Sequence, residues 1–169
     1  MKHIIFILTA FILFSSCSLN KNKTIYNERT KKDILIGECN REALTGTPFN
    51  EWFNPKYEAY NPDKSVIQKL KASENLQNTD IFIIMGTWCG DSRRELPRFY
   101  KIIDELGFPD SKVKIVAVDT KKKSGNKILD GLEFTRIPTF IFYRNNKEIG
   151  RIVESTIKSL EEDMLDIIQ

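Results

Sequence analysis

The sequence predicts an α/β domain in which a mixed central sheet is flanked by helices, and three observations predict it. The continuous apolar run Ile81 to Met85 has the character of a strand covered on both faces, and Val113 to Val118, apolar except for Lys114, reads as another buried strand. Between them Leu96, Phe99, Ile102, Ile103 and Leu106 recur at helical spacing, so the runs read as parallel strands joined by a crossover helix. Beyond them, Thr139 to Tyr143 and Glu148 to Val153 read as strands joined at Asn145-Asn146, an acceptable hairpin turn. With 169 residues, 41% of them hydrophobic, the chain is long enough for one well-buried core and short for two domains.

At the N-terminus, Lys2 and the apolar stretch Ile4 to Phe14 read as a secretory signal over residues 1–16, too short to span a bilayer. Phe14-Ser15-Ser16-Cys17 resembles a bacterial lipobox, with Phe14 where Leu is usual. The resemblance implies that Cys17 is lipidated and that the mature protein is anchored to a membrane of a bacterial cell envelope. Ser18 to Lys32 lacks apolar periodicity and reads as a flexible tether, giving residues 17–32 as lipidated Cys plus spacer.

The domain is then expected over residues 33–169, with an N-terminal helical extension (33–77) and a core (78–169). In the extension, Asp33 to Gly37 suggests a short strand, and Pro48 suits the first turn of a helix bearing Phe49, Trp52, Phe53 and Tyr57. Asn61-Pro62-Asp63 turns the chain into a second helix with Val66, Ile67 and Leu70, ending near Ser73. In the core, the long helix runs from Asp91 to about Gly107 and should kink at Pro97. A short helix is expected over Lys127 to Leu132. A last helix is expected from Thr156 to Ile168, with Ile157, Leu160, Met164, Leu165 and Ile168 buried.

Composition narrows the chemistry. A formal net charge of +3, with acidic and basic residues interleaved, leaves no basic face for nucleic acid. Cleavage of the signal removes His3 and lipid consumes Cys17, so the mature chain holds two cysteines and no histidine. That excludes a histidine base and leaves too few soft ligands for a structural zinc site, and no cofactor is implied.

The chemistry therefore centres on Trp88-Cys89-Gly90-Asp91-Ser92. Cys89 lies where a buried strand hands over to a helix, so its sulfur should face unpaired helix amides that favour thiolate, the effective nucleophile. Arg93 and Arg94 would reinforce this and Asp91 oppose it, the charged helix start otherwise reading as solvated.

Trp88-Cys89 closing an apolar strand, Pro97 eight residues later, and Ile137-Pro138-Thr139-Phe140 opening the hairpin together resemble the thioredoxin superfamily, over roughly the C-terminal ninety residues. The extension and lipobox resemble those of bacterial lipoprotein-type thioredoxin-like proteins, here with a single-Cys motif. The resemblance implies that Pro138 is cis and packs beside the Cys89 sulfur, and that Trp88, Gly90, Asp91, Ser92, Ile137 and Pro138 surround the reactive thiol.

The departures are informative too. The family's second cysteine falls at Ser92, which cannot close a disulfide, so exchange should stall at the mixed disulfide until another thiol resolves it. The family's buried acid falls at Ile83, leaving Asp91 or water to protonate a leaving thiol. Ser92 either bonds the Cys89 thiolate or only preserves packing. Cys39 is a second thiol, either near Cys89 or inert elsewhere.

Two functions follow from the resemblance. One is monothiol exchange, with exported proteins bearing disulfides or oxidised cysteine, or a small thiol, as partners, in disulfide reduction or isomerisation. The other is a redox-inactive binding module on the same fold. Oligomeric state is not legible.

Overall fold

The structure is a computed structural model describing residues 21–169. The expected signal and the lipidation site Cys17 lie outside the described residues. A hairpin of β1 (Thr24–Asn27) and β2 (Lys32–Leu35) comes first, followed by β3 (Gly37–Cys39), α1 (Arg41–Thr45), α2 (Asn50–Ala59) and α3 (Lys64–Ala72). The remainder is β4 (Thr79–Met85), α4 (Gly90–Leu106), β5 (Val113–Ala117), β6 (Thr139–Arg144), β7 (Lys147–Val153) and α5 (Leu160–Ile168). The main sheet has the order β3-β5-β4-β6-β7, with β4 and β5 parallel and the other neighbours antiparallel. The expected mixed α/β architecture is the observed one.

Alternation along β4 sorts its side chains between two clusters. Ile81, Ile83 and Met85 join the large core beneath the helices, with Phe99 and Ile103 of α4 and Phe140 and Phe142 of β6. Ile84 faces the other way, with Val118, Ile137 and Ile141, beneath Leu129, Leu132 and Phe134 of the segment between β5 and β6. The second cluster also includes Trp88 and Cys89.

Local chemistry explains the element boundaries. Asp63 caps α3 through the Ser65 and Val66 amides. α4 is continuous through Pro97 and ends at Gly107 in the left-handed region (φ 68°), where the Phe108 amide bonds the Ile103 carbonyl. Asn145 and Asn146 both have positive φ, as the two-residue turn between β6 and β7 requires.

Four expectations need correction. The tether does not extend to Lys32, because Thr24–Asn27 pairs with Lys32–Leu35 and sets Ile25 opposite Ile34. Pro48 precedes α2 rather than entering its first turn, following a cis Thr47–Pro48 bond. Ile157 is 94% exposed, since α5 starts only after Ser159. A Ser159–Glu162 capping box sets that start, and the Asp163 carboxylate accepts from the Ile157 and Lys158 amides, holding them outside the helix. The expected helix at Lys127 to Leu132 is a single short turn, Lys127–Leu129.

Three tyrosines brace the helical layer, and all hold their protons more tightly than the usual 10. Burial is the first cause in each; Asp104 adds to it at Tyr57, Glu161 at Tyr60 and Asp110 at Tyr100, and Tyr57 is pushed up to about 12. The unfolded chain releases these protons near 10, so their contribution to stability is complete below that pH and is lost as pH rises towards 12. Tyrosinate absorbance of the folded protein should accordingly lag that of the urea-unfolded chain, with Tm falling across the same window. Superimposable titrations would contradict this.

Candidate active site at Cys89

The apolar residues of β4 carry the chain to the C-terminal end of the central strand, where Gly86-Thr87-Trp88 turns it into α4. Gly86 is required by close approach: a Cβ there would lie 2.7 Å from Trp88 Nε1 and 2.9 Å from Ile137 Cδ1. The turn is fastened on three sides. Thr87 Oγ1 accepts the Leu35 amide at 3.2 Å, tying the N-terminal hairpin to the site. The Trp88 indole donates to the Val118 carbonyl at 2.9 Å. The Cys89 amide donates to the Gly86 carbonyl at 2.9 Å.

Cys89 is the N-cap residue of α4 and is half-buried. Its side chain makes no capping bond to the helix amides, contrary to the expected orientation. The thiol instead donates to the Ile137 carbonyl at 3.5 Å, a distance within reach of a sulfur donor. Ile137–Pro138 is cis, and both residues are buried. The carbonyl wins because the turn places the sulfur against the segment entering β6. Cys89, Trp88 and Ile137 therefore come together, as the resemblance implies.

Ser92, 1% exposed, does not bond the sulfur: its hydroxyl accepts the Gly86 amide at 3.2 Å and locks the turn from beneath. Gly90 is exposed and Asp91 half-buried, the latter's carboxylate bonded to Arg94 at 2.7 Å. Ile83 is fully buried in the helical core. The helix start is not wholly solvated, because Glu95 is 2% exposed and accepts from Arg94 Nε at 2.6 Å and Arg98 Nη1 at 3.3 Å. Both donors lie on α4 itself, and spacing alone does not disclose that Glu95 is buried.

Cys39 is 4% exposed, and burial pushes its thiol up to about 12. It sits opposite Ile115 of β5, which in turn sits opposite Ile83 of β4. Cys89 lies past the end of β4 on the side of β6, so at least two strand spacings, about 10 Å, separate the thiols across the sheet. A disulfide needs Cα atoms within about 7 Å. Both cysteines are free, and Cys39 is not placed to resolve a Cys89 adduct.

Sequence reasoning also missed the partners Leu35 and Val118 and the packing residues Leu129, Leu132 and Phe134. These arrive from segments distant in the chain, with no local signature.

Comparison with known proteins bears on this geometry. A family model described as Thioredoxin matches residues 50–163. The chain is 30% identical over 94 residues to the TPR repeat-containing thioredoxin TDX of Arabidopsis thaliana, covering 56% of this chain and 23% of that protein. It is 29% identical over 84 residues to the mitochondrial thioredoxin O of Oryza sativa subsp. japonica, covering 50% and 46%. The chain spans from about a quarter to somewhat over half of the length of the curated relatives it matches. Among solved structures, a protein of unknown function from Pseudomonas aeruginosa superposes with a TM-score of 0.51 at 17% identity, covering 79% of this chain and 87% of that one. That likeness concerns the fold alone. With the family model covering more than half of its residues, the chain belongs to the thioredoxin family.

Proposed function

We propose that the protein performs thiol–disulfide exchange through Cys89 alone, as an exported protein anchored to a bacterial envelope membrane by lipid on Cys17. The observation that carries the exchange reading is the pairing of a half-buried Cys89, its sulfur against the Ile137 carbonyl, with a buried serine at the position of a resolving cysteine. Export rests on the apolar stretch Ile4 to Phe14 and on Phe14-Ser15-Ser16-Cys17. A short polar stretch would separate the lipid from Thr24, where the N-terminal hairpin begins.

In this mechanism the Cys89 thiolate attacks a disulfide of an exported protein, forming a mixed disulfide and releasing the second substrate sulfur as thiolate. Water protonates the leaving sulfur, because the Asp91 carboxylate is engaged by Arg94. Ser92 keeps the turn in place, and a small thiol completes the cycle. Disulfide reduction and isomerisation both use this first step.

Trapping tests it. Cells acidified and alkylated during growth should yield mixed disulfides between the protein and exported partners, released by reductant and absent with Cys89→Ser. A complete lack of adducts with the unaltered chain would contradict the proposal.

A further inference from the structure

Gly90, the residue after Cys89, borders a cavity of about 530 Å³ between α2 and α4, which the exchange step leaves unused. Its α4 wall is a stripe, Gly90, Arg94 and Arg98, spaced four residues apart and starting directly beside Cys89. Lys56 of α2 and Tyr60, just after α2, supply the opposing wall. The lining thus carries three cations against one carboxylate, Asp91, whose partner is Arg94.

The guanidinium groups are held from behind. Buried Glu95 receives Arg94 and Arg98 through one oxygen, and Arg98 lies over the Tyr60 ring at 5.2 Å from its centroid. Each guanidinium has five N–H donors, so donors remain free on both. Lys56 has no carboxylate within 4.0 Å among the described residues. Burial is the first cause that lowers its pKa, and the nearby Arg93, Arg94 and Arg98 add to it. Such a wall favours an anion.

Gly90, which joins Cys89 to the cavity's α4 wall, is exposed, and a Cβ built on it would meet nothing within 4 Å. At 1.5 Å rise per residue, Arg94 and Arg98 lie about 6 and about 12 Å along the helix from Gly90. An anionic group reaching them from a sulfur on Cys89 needs an arm two or three residues long.

Resting on the monothiol reading above, we propose that the cavity receives the carboxylate arm of a peptide-sized low-molecular-weight thiol while that thiol's sulfur is joined to Cys89. In the resolving sequence the small thiolate attacks the Cys89 sulfur of the mixed disulfide. A small thiol–Cys89 disulfide forms and the substrate sulfur leaves as thiolate, taking a proton from water. A second small thiolate then attacks the small thiol's sulfur, forming its symmetrical disulfide and returning the Cys89 thiolate. Two small thiols are oxidised and one substrate disulfide is reduced to two thiols. The cavity acts by holding the arm during both displacements.

The test uses the full chain with Cys17→Ser, loaded at Cys89 with a neutral pyridyl disulfide whose release is read by absorbance. Glutathione and its diethyl ester serve as probes of equal length and different charge, compared at equal thiolate concentration. The free acid should release pyridinethione about tenfold faster, the equivalent of one ordinary charged contact. Lys56→Gln combined with Arg98→Gln should bring that ratio towards one. Lys56→Gln alone, which breaks no ion pair, should lower it in the same direction. A ratio near one in the parent, or a ratio untouched by Lys56→Gln, overturns the cavity's role while leaving exchange at Cys89 intact. Failure of Cys89 to form the pyridyl adduct overturns the exchange reading itself.

Discussion

Ser92→Cys is expected to convert a thiol that stalls after one attack into a pair that resolves its own adduct. Ser92 stands three residues after Cys89, where helix geometry places Cα atoms about 5 Å apart, inside the 4.4–6.8 Å range of natural disulfides. The new thiol would compete with external thiol at an effective concentration that even a conservative 1 M sets about 10³-fold above a millimolar reductant. The lifetime of a Cys89 mixed disulfide should shorten by about that factor, measured by quenched-flow alkylation and intact mass. The substitution also weakens the acceptor for the Gly86 amide, at a cost of about 1–3 kcal/mol. A stable protein whose adduct lifetime is unchanged would show that the turn holds position 92 away from the sulfur.

The second large effect is on stability. Phe140, 1% exposed, sits opposite Ile83 on one side and Ile152 on the other, with its ring 5.3 Å from that of Phe99. Phe140→Ala empties space where β6 meets α4, and buried Phe truncations cost about 3–5 kcal/mol. Against the 5–15 kcal/mol typical of a domain, that is a large share of the total. Urea unfolding should show a lower midpoint at unchanged slope. Because Phe140 lies two residues after Pro138, the variant should also loosen the segment against which the Cys89 sulfur rests. A midpoint within error of the parent would mean that the ring contributes little to the core.

Elements with one dominant local cause were legible in the sequence. The buried strands announce themselves as Ile81 to Met85 and Val113 to Val118, the hairpin turn as Asn145-Asn146, and the strand-to-helix turn as Trp88-Cys89 before an amphipathic helix. Where two causes compete, the expectation fails. Ile157 fits the apolar periodicity of the last helix, but Ser159 and Asp163 cap the chain two residues later and leave it in solvent. β1 is mostly polar because Tyr26 faces outward and only Ile25 pairs inward with Ile34, so its composition resembles a spacer.

The site shows the same division. The resemblance implies that Cys89 and the Ile137-Pro138 segment are neighbours, and the Cys89–Ile137 bond joins them. Spacing does not reveal that the sulfur bonds a carbonyl instead of helix amides, or that Ser92 serves the Gly86 amide. Lys56 and Arg98 are each unremarkable in sequence and face one cavity only because α2 packs along α4. Tertiary packing decides such roles.

The most direct test of single-thiol exchange is mass spectrometry of the native Cys17→Ser chain after brief exposure to a small disulfide, followed by removal of the reagent. One adduct is expected, at Cys89, persistent until external thiol is added, with Cys39 unmodified until denaturant exposes it. Loss of the adduct without added thiol, leaving a Cys39–Cys89 bridge, or modification of Cys39 in place of Cys89, would contradict single-thiol exchange.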